Sequence, residues 1–284
     1  MQNRKTNFTP VPSPGHGERD GPAWDIIVGA GPVLVTAIHS GHHIRADLAD
    51  EVALSAHNRL REEDPMTDYF LGLGDSIVRV NRSRFEVDLN RPADRAVYIE
   101  PEDSWGMKVW KSRPSDDAVA RSRAIHAAFY DEMARLVEAM IAAHDRILVI
   151  DVHSYNHRRE GAGAPAADRA GNPDIDVGAT TLDRAVYGEL LDRFVAKLDA
   201  APLGGGSVDA RVNVRWPDGG NFPEWLYARY GAAACVMTLE YKKVFMDEWS
   251  GEADIIALQQ LRHGLGLALA GARSDLAAMA QVTA

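Results

Sequence analysis

The chain of 284 residues carries a formal net charge of −10, with 46% apolar residues and a single cysteine. That length suits one large α/β domain, the apolar share is enough for a sizeable core, and no run of about eighteen apolar residues announces a membrane span. The acidic balance argues against nucleic-acid or anionic-membrane binding, which need basic surface, and the lone Cys235 excludes a disulfide framework or a cysteine-rich zinc site.

Residues 1–22 hold Pro10, Pro12, Pro14, Gly15, Gly17 and Pro22 among polar neighbours and read as a mobile tail ahead of one catalytic domain, residues 23–284. They lack the basic, apolar and small-residue succession of a secretory signal, so a cytoplasmic protein is expected. Trp24–Val28 and Val33–Ile38 read as strands joined by a Gly-Ala-Gly-Pro turn, and Ser76–Val80 as a third strand. Asp117–Ala143 reads as a helix, with Ile125, Phe129, Met133, Leu136, Val137 and Met140 at helical spacing. Ile147–Val152 follows as a central strand apolar on both faces, then a helix at Leu182–Leu198. Ala233–Tyr241 reads as another buried strand, with Cys235 as a small core residue, and Ala253–Leu269 as a last helix. Strands alternating with long helices predict a three-layer α/β/α domain around a largely parallel or mixed sheet. Ligands of such sheets bind beyond the carboxyl ends of the strands.

Three of these strands run straight into reactive side chains. Val33–Ile38 leads to His39-Ser40-Gly41-His42-His43, Ile147–Val152 carries Asp151 and leads to His153-Ser154, and Ala233–Leu239 leads to Glu240. A rigid strand followed by a short loop can fix an imidazole closely enough for catalytic zinc, which takes three histidine or carboxylate ligands and leaves one position open. A nearby carboxylate can then take a proton from water made acidic by the ion. A lone strand-end histidine is more often structural than a ligand; two of them, with a carboxylate ending a third strand, point to a site. For the third ligand, His42 follows His39 by three residues and could meet the same ion if the loop turns helical. The run Arg61–Tyr69 offers Glu62, Glu63, Asp64 and Asp68, much of it readable as a solvated face. Asp68 precedes Tyr69-Phe70-Leu71 at what reads as an inward-packed helix start and is the favoured carboxylate.

In Arg84-Phe85-Glu86-Val87-Asp88-Leu89-Asn90-Arg91-Pro92 an arginine fork beside an asparagine matches a carboxylate, and Asp88 could hold one arginine by an ion pair. The same string also reads as a surface strand with scattered salt bridges. Neither Ser40 nor Ser154 sits in a Gly-x-Ser-x-Gly elbow, so a serine hydrolase is not indicated.

Taken in order, His39-Ser40-Gly41, Thr67-Asp68-Tyr69, Ser83-Arg84-Phe85, Asp88-Leu89-Asn90-Arg91-Pro92, Asp151-Val152-His153-Ser154 and Leu239-Glu240 resemble the N-formylglutamate amidohydrolase family. The resemblance covers roughly residues 24–250, with looser likeness at Asn172–Gly178 and Asp218-Gly219-Gly220. That family is related to the zinc carboxypeptidases and to the aspartoacylase and succinylglutamate desuccinylase group. The resemblance implies a carboxypeptidase-like α/β/α fold, one zinc ion per chain, and cleavage of N-formyl-L-glutamate to formate and L-glutamate. It assigns His39 and His153 to the metal, Glu240 to general-base and proton-shuttle work, and Asn90 with Arg91 to a substrate carboxylate. Arg84 matches a family arginine that clamps a second carboxylate or polarises the scissile carbonyl. In the carboxypeptidase and aspartoacylase relatives the second ligand is a glutamate three residues after the first histidine. His42 stands at that position here, and Asp68 matches a family aspartate that can replace it. Two other readings share the scaffold. One is hydrolysis of another N-acyl amino acid or of a peptide with a free carboxylate, the Glu160–Gly171 stretch helping to define the pocket; the other is noncatalytic small-molecule binding.

Overall fold

The computed structural model describes residues 9, 21–217 and 219–282, so the expected tail falls, apart from residues 9, 21 and 22, outside the described residues. Strands β1 (Trp24–Ile27), β2 (Val33–Ala37), β3 (Ser76–Val80), β4 (Ile147–Tyr155), β5 (Ile175–Gly178), β6 (Pro202–Leu203), β7 (Gly206–Ser207), β8 (Ala210–Val212) and β9 (Ala234–Lys242) are interleaved with helices. The helices are α1 (Ala46–Ala49), α2 (Ala56–Glu62), α3 (Asp116–His144), α4 (Arg184–Asp199), α5 (Asn221–Tyr230) and α6 (Ile255–Val282). Seven strands form one sheet in the order β1-β3-β2-β4-β9-β5-β8, and β6 pairs with β7 in a separate hairpin. β3, β2, β4 and β9 run parallel, while β1 and β5 join antiparallel, so the sheet is mixed.

Alternation along the strands decides what each face holds. Leu148, Ile150 and Val152 of β4 and Cys235, Met237 and Leu239 of β9 pack with Leu190, Leu191 and Phe194 of α4 and Leu261, Leu265 and Leu269 of α6. The intervening residues Ile147, Val149, Ala234 and Val236 pack instead with Phe129, Met133, Leu136 and Val137 of α3 and Phe222 and Leu226 of α5. Every residue of β4 is buried, as expected of a strand covered by helices on both sides. Each fully buried aliphatic side chain here contributes about 1.5–3 kcal/mol.

Helix α3 starts where the Ser115 side chain accepts a hydrogen bond from the Ala118 amide, and its stripe from Ile125 to Met140 is the one read from spacing. Two elements run longer than their sequence signals. β4 continues through His153 to Tyr155, because its pairing with β9 extends to Tyr155↔Lys242. α6 continues to Val282, its Ala272 and Leu276 still facing the core. β5, β8 and α5 had no sequence signal strong enough to read. β5 and β8 are short, and α5 begins Asn221-Phe222-Pro223, where proline is tolerated because first-turn amides need no intrahelical acceptor. No helix among the described residues is long and apolar enough to cross a membrane.

Candidate active site

The face that holds Ile147, Val149, Ala234 and Val236 lower in the sheet turns polar at the carboxyl ends of the same strands. Asp151 and His153 continue that face on β4, and Thr238 and Glu240 continue it on β9, with His153 directly opposite Glu240. β2 delivers His39 two residues beyond its last paired position. The chain then bends sharply at Gly41, where a Cβ would lie 2.4 Å from the Arg82 carbonyl oxygen. Asp64 arrives from the loop after α2, its amide donating to the His39 carbonyl (3.0 Å) and its own carbonyl accepting from the Thr67 hydroxyl (2.7 Å).

Three buried donor atoms converge there. His39 Nδ1 and His153 Nδ1 are 3.1 Å apart, and Asp64 Oδ2 lies 3.0 Å from the second and 3.4 Å from the first. A tetrahedral zinc ion with bonds of about 2.0–2.1 Å holds its ligands about 3.3 Å from one another, so the spacing fits such an ion. The proton inventory fits as well. His39 Nε2 faces Asp88 Oδ1 at 2.7 Å, and His153 Nε2 faces Asp151 Oδ2 at 2.7 Å. An ionised carboxylate only accepts, so each Nε2 carries the hydrogen, and in the neutral rings each Nδ1 presents a lone pair to the other and to Asp64. Such a triad is unfavourable unless a cation sits between its members. A proton on His153 can fill that role, and the surroundings favour it. Burial would lower the His153 pKa, but Asp151 and Asp64 hold it well above the usual histidine range. Burial likewise would raise the Asp64 carboxyl, yet hydrogen bonds from His153 and His39 hold it well below the usual carboxylate range. A metal would displace that proton, as binding by neutral imidazole requires.

Both rings are oriented from behind. Thr36 donates to Asp151 Oδ1 at 2.6 Å, which fixes the carboxylate that fixes His153. Asp88 spends its two oxygens on different partners: Oδ1 accepts from His39 and from the Asn90 amide (2.8 Å), Oδ2 from Arg84 Nη2 (2.9 Å) and the Tyr98 hydroxyl. Burial would raise the Asp88 pKa, but Arg84 and His39 hold it well below the ordinary range. Carboxylates in this position behind a metal-binding histidine typically contribute about 10–100-fold to metal affinity. For any metal held by this cluster, Asp88→Asn, unable to accept as a charge, is therefore expected to weaken binding about 10–100-fold in chelator competition. Unchanged affinity would detach Asp88 from the cluster.

Asp88 also gathers the arginines. Arg84 stacks over Trp105 (4.9 Å) and reaches the Tyr98 hydroxyl with Nε (3.2 Å). Arg91 lies over the Tyr98 ring (4.9 Å), with Nε 3.7 Å from Asp88 Oδ2. The Asn90 side-chain carbonyl accepts from the Phe222 amide (3.0 Å) at the start of α5, and so the side-chain NH2 remains available as a donor. Gly220 permits this seat: a Cβ there would lie 2.6 Å from the Asn90 side chain. Asp218, beside it in sequence, lies outside the described residues.

One cavity of about 270 Å³ joins these groups, lined among others by His39, Asp64, His153, Arg84, Asn90, Arg91 and Glu240. Burial pushes the Glu240 carboxyl up to about 8, against the pull of the His153 charge. The arrangement sets a cluster able to hold a cation, a carboxyl raised towards neutrality and two arginines around one small volume. It suits hydrolysis of a neutral acyl bond in an anionic molecule.

The cavity thus brings together His39, His153, Glu240, Arg84, Asn90 and Arg91, but not the two expected candidates for the remaining ligand. Asp68 is exposed: it sits on the 3₁₀ turn Thr67–Leu73, whose three-residue period turns Thr67 and Phe70 inward and Asp68 outward. His42 points out of the cluster, its Nδ1 on Glu63 Oε2 (2.5 Å) and its side chain 40% exposed. The carboxylate that does stand beside the two histidines is Asp64. The run Glu62-Glu63-Asp64 is buried, not a solvated face. None of Glu160–Gly171 lines the cavity; Arg159, just before it, does. Cys235 is fully buried, and burial alone pushes its thiol up, out of nucleophilic range.

The sequence matches the model of the N-formylglutamate amidohydrolase family over residues 31–242. A solved structure of an N-formylglutamate amidohydrolase from Ralstonia eutropha JMP134 superposes with a TM-score of 0.62 at 16% identity, covering 89% of this chain and 97% of that one. A gene product of Agrobacterium tumefaciens gives 0.61 at 18% identity, again with 89% and 97% covered. At these identities the likeness to the solved structures is one of fold. No curated protein matches the sequence.

Proposed function

The chain belongs to the N-formylglutamate amidohydrolase family, and on that premise we propose that it is a zinc-dependent amidohydrolase whose substrate is N-formyl-L-glutamate, cleaved by water to formate and L-glutamate. The observation that carries this reading is the pair of Nδ1 lone pairs and the Asp64 carboxylate at 3.0–3.4 Å, in one cavity with Glu240 and two arginines. His39, Asp64 and His153 would hold the ion. When bound, zinc supplies Lewis-acid polarisation of an acyl oxygen and makes water acidic enough to lose a proton near neutral pH.

The protein's own groups do the rest. Arg91 and the Asn90 amide bind the substrate's α-carboxylate, and Arg84 stands ready for the second carboxylate or for charge growing on the formyl oxygen. Trp105 covers one face of the Arg84 guanidinium. Glu240, opposite His153, takes the proton from the attacking water and returns it to the departing amine nitrogen, so a single carboxyl serves both halves of the reaction.

A base must be ionised, so kcat/KM falls as pH drops through the Glu240 pKa. That value is about 8 in the protein alone, and a bound dication moves it down by favouring the carboxylate. The acidic limb of the pH profile should therefore lie between the ordinary glutamate range and 8. Glu240→Gln should retain zinc, lose about a hundredfold or more in kcat, and lose that limb. Near-parental turnover would place the proton shuttle elsewhere. The reading as a whole is tested by elemental analysis of the purified protein followed by formate release from N-formyl-L-glutamate. A zinc-loaded protein that ignores this substrate but cleaves another N-acyl amino acid would overturn the substrate and keep the chemistry.

A further inference from the structure

Of the three cluster residues, two are held by the sheet. His153 lies on β4 and His39 follows β2 closely, whereas Asp64 belongs to a loop between α2 and a 3₁₀ turn. A ligand on a loop needs a clamp, and the geometry points to Lys243 as the positioning residue that holds Asp64 in reach of the two histidines. This inference rests on the metal site proposed above.

Lys243 follows directly on β9, its amide donating to the Tyr155 carbonyl (3.0 Å), so its backbone is fixed to the ends of both central strands. The side chain is 1% exposed. Its ammonium donates to the carbonyls of Arg61 (2.6 Å) and Glu63 (2.8 Å) and to Asn156 Oδ1 (2.9 Å). The chain is thus gripped at the peptide immediately before Asp64 and again two residues earlier. Lys243 lines the cavity, which invites a role on the substrate, but an ammonium has three hydrogens and all three are taken. It acts through Asp64, not on the reacting atoms. Lys243 also lies one position beyond the stretch that matches the family model.

Zinc binding to the whole chain, read by competition with a chelating dye, separates this role from general support of the fold. Lys243→Met should hold zinc at least about tenfold more weakly than the parent, in the range of groups that orient a metal ligand from behind. The decisive measurement is a double-mutant cycle. If the clamp works through Asp64, Lys243→Met should cost nothing further in an Asp64→Ala background, whereas a merely structural loss would add. Parental affinity in Lys243→Met, or additive losses, overturns the inference while leaving the metal site standing. Absence of zinc binding in the parent overturns both. Should Lys243→Met not accumulate as folded protein by circular dichroism, Asn156→Ala removes one anchor of the clamp and enters the same cycle. A loss of about threefold or more that vanishes with Asp64→Ala supports the clamp, and its persistence there refutes it.

Discussion

On the proposed reading, alanine in place of His39 or His153 is expected to remove the metal and take formate release to background. Asp64→Ala, which leaves the two histidines, is expected to keep only a weak residual affinity, measurable with added zinc, and to lose formate release, while Asp68→Ala and His42→Ala keep metal and activity. The size follows from what leaves with the ion. Lewis-acid stabilisation is worth several kcal/mol, so turnover should fall at least about a thousandfold. The fold should survive, because the cluster sits at the rim of the sheet and the two apolar faces that hold the sheet lie below it. Metal content per chain, far-UV circular dichroism and formate release measured together distinguish a lost ligand from a lost fold. Full zinc occupancy in Asp64→Ala would return the remaining ligand to another residue. Loss of zinc in Asp68→Ala would mean that the turn Thr67–Leu73 rotates on metal binding, because Asp68 now faces solvent.

The contrast between Asp64 and Asp68 shows what one sequence can convey. Period-2 alternation on an apolar strand says which face a residue takes, so the strand-end histidines and Glu240 were legible as a group. The spacing of the α3 stripe gave that helix to within a residue at each end. Inside Arg61–Tyr69 four carboxylates lie within seven residues, and no periodicity separates them. What selects Asp64 is tertiary: the His39 carbonyl and the Lys243 clamp, from positions 39 and 243, with only the Thr67 bond local. Asp88 shows the same limit. Its neighbour Arg84 sits four positions away, and an ion pair between them could be read from the string. Its bond to His39 spans 49 positions and could not. Asp151 was closer to legible, for a residue two before His153 on a strand shares its face. The histidine's far nitrogen finds that carboxylate at 2.7 Å.

Arg91→Lys is expected to weaken catalysis on N-formyl-L-glutamate although the net charge is unchanged. A carboxylate offers two oxygens in a plane, and guanidinium matches them with two parallel N–H bonds that an ammonium cannot reproduce. Among the described residues no hydrogen bond claims the Arg91 guanidinium; Tyr98 supports its face and Asp88 stands 3.7 Å from Nε. Losing a buried charged hydrogen bond typically costs about 2–5 kcal/mol, or about thirty- to several-thousandfold. The Arg91 side chain is 23% exposed, which moves the expectation towards the lower end of that range. A residue that holds the substrate before and during reaction shows its loss in KM at least as much as in kcat, and that is the split expected of Arg91→Lys. The partner is identified by changing the other side of the contact. N-formylglutamate with its α-carboxylate amidated should be a poor substrate for the parent enzyme, yet it should respond little to Arg91→Lys, because the bond is already missing. The two changes together then cost much less than the sum of their separate effects. Additive losses would show that Arg91 does not pair with that carboxylate, and the acidic N-acyl amino acid would lose its main physical support.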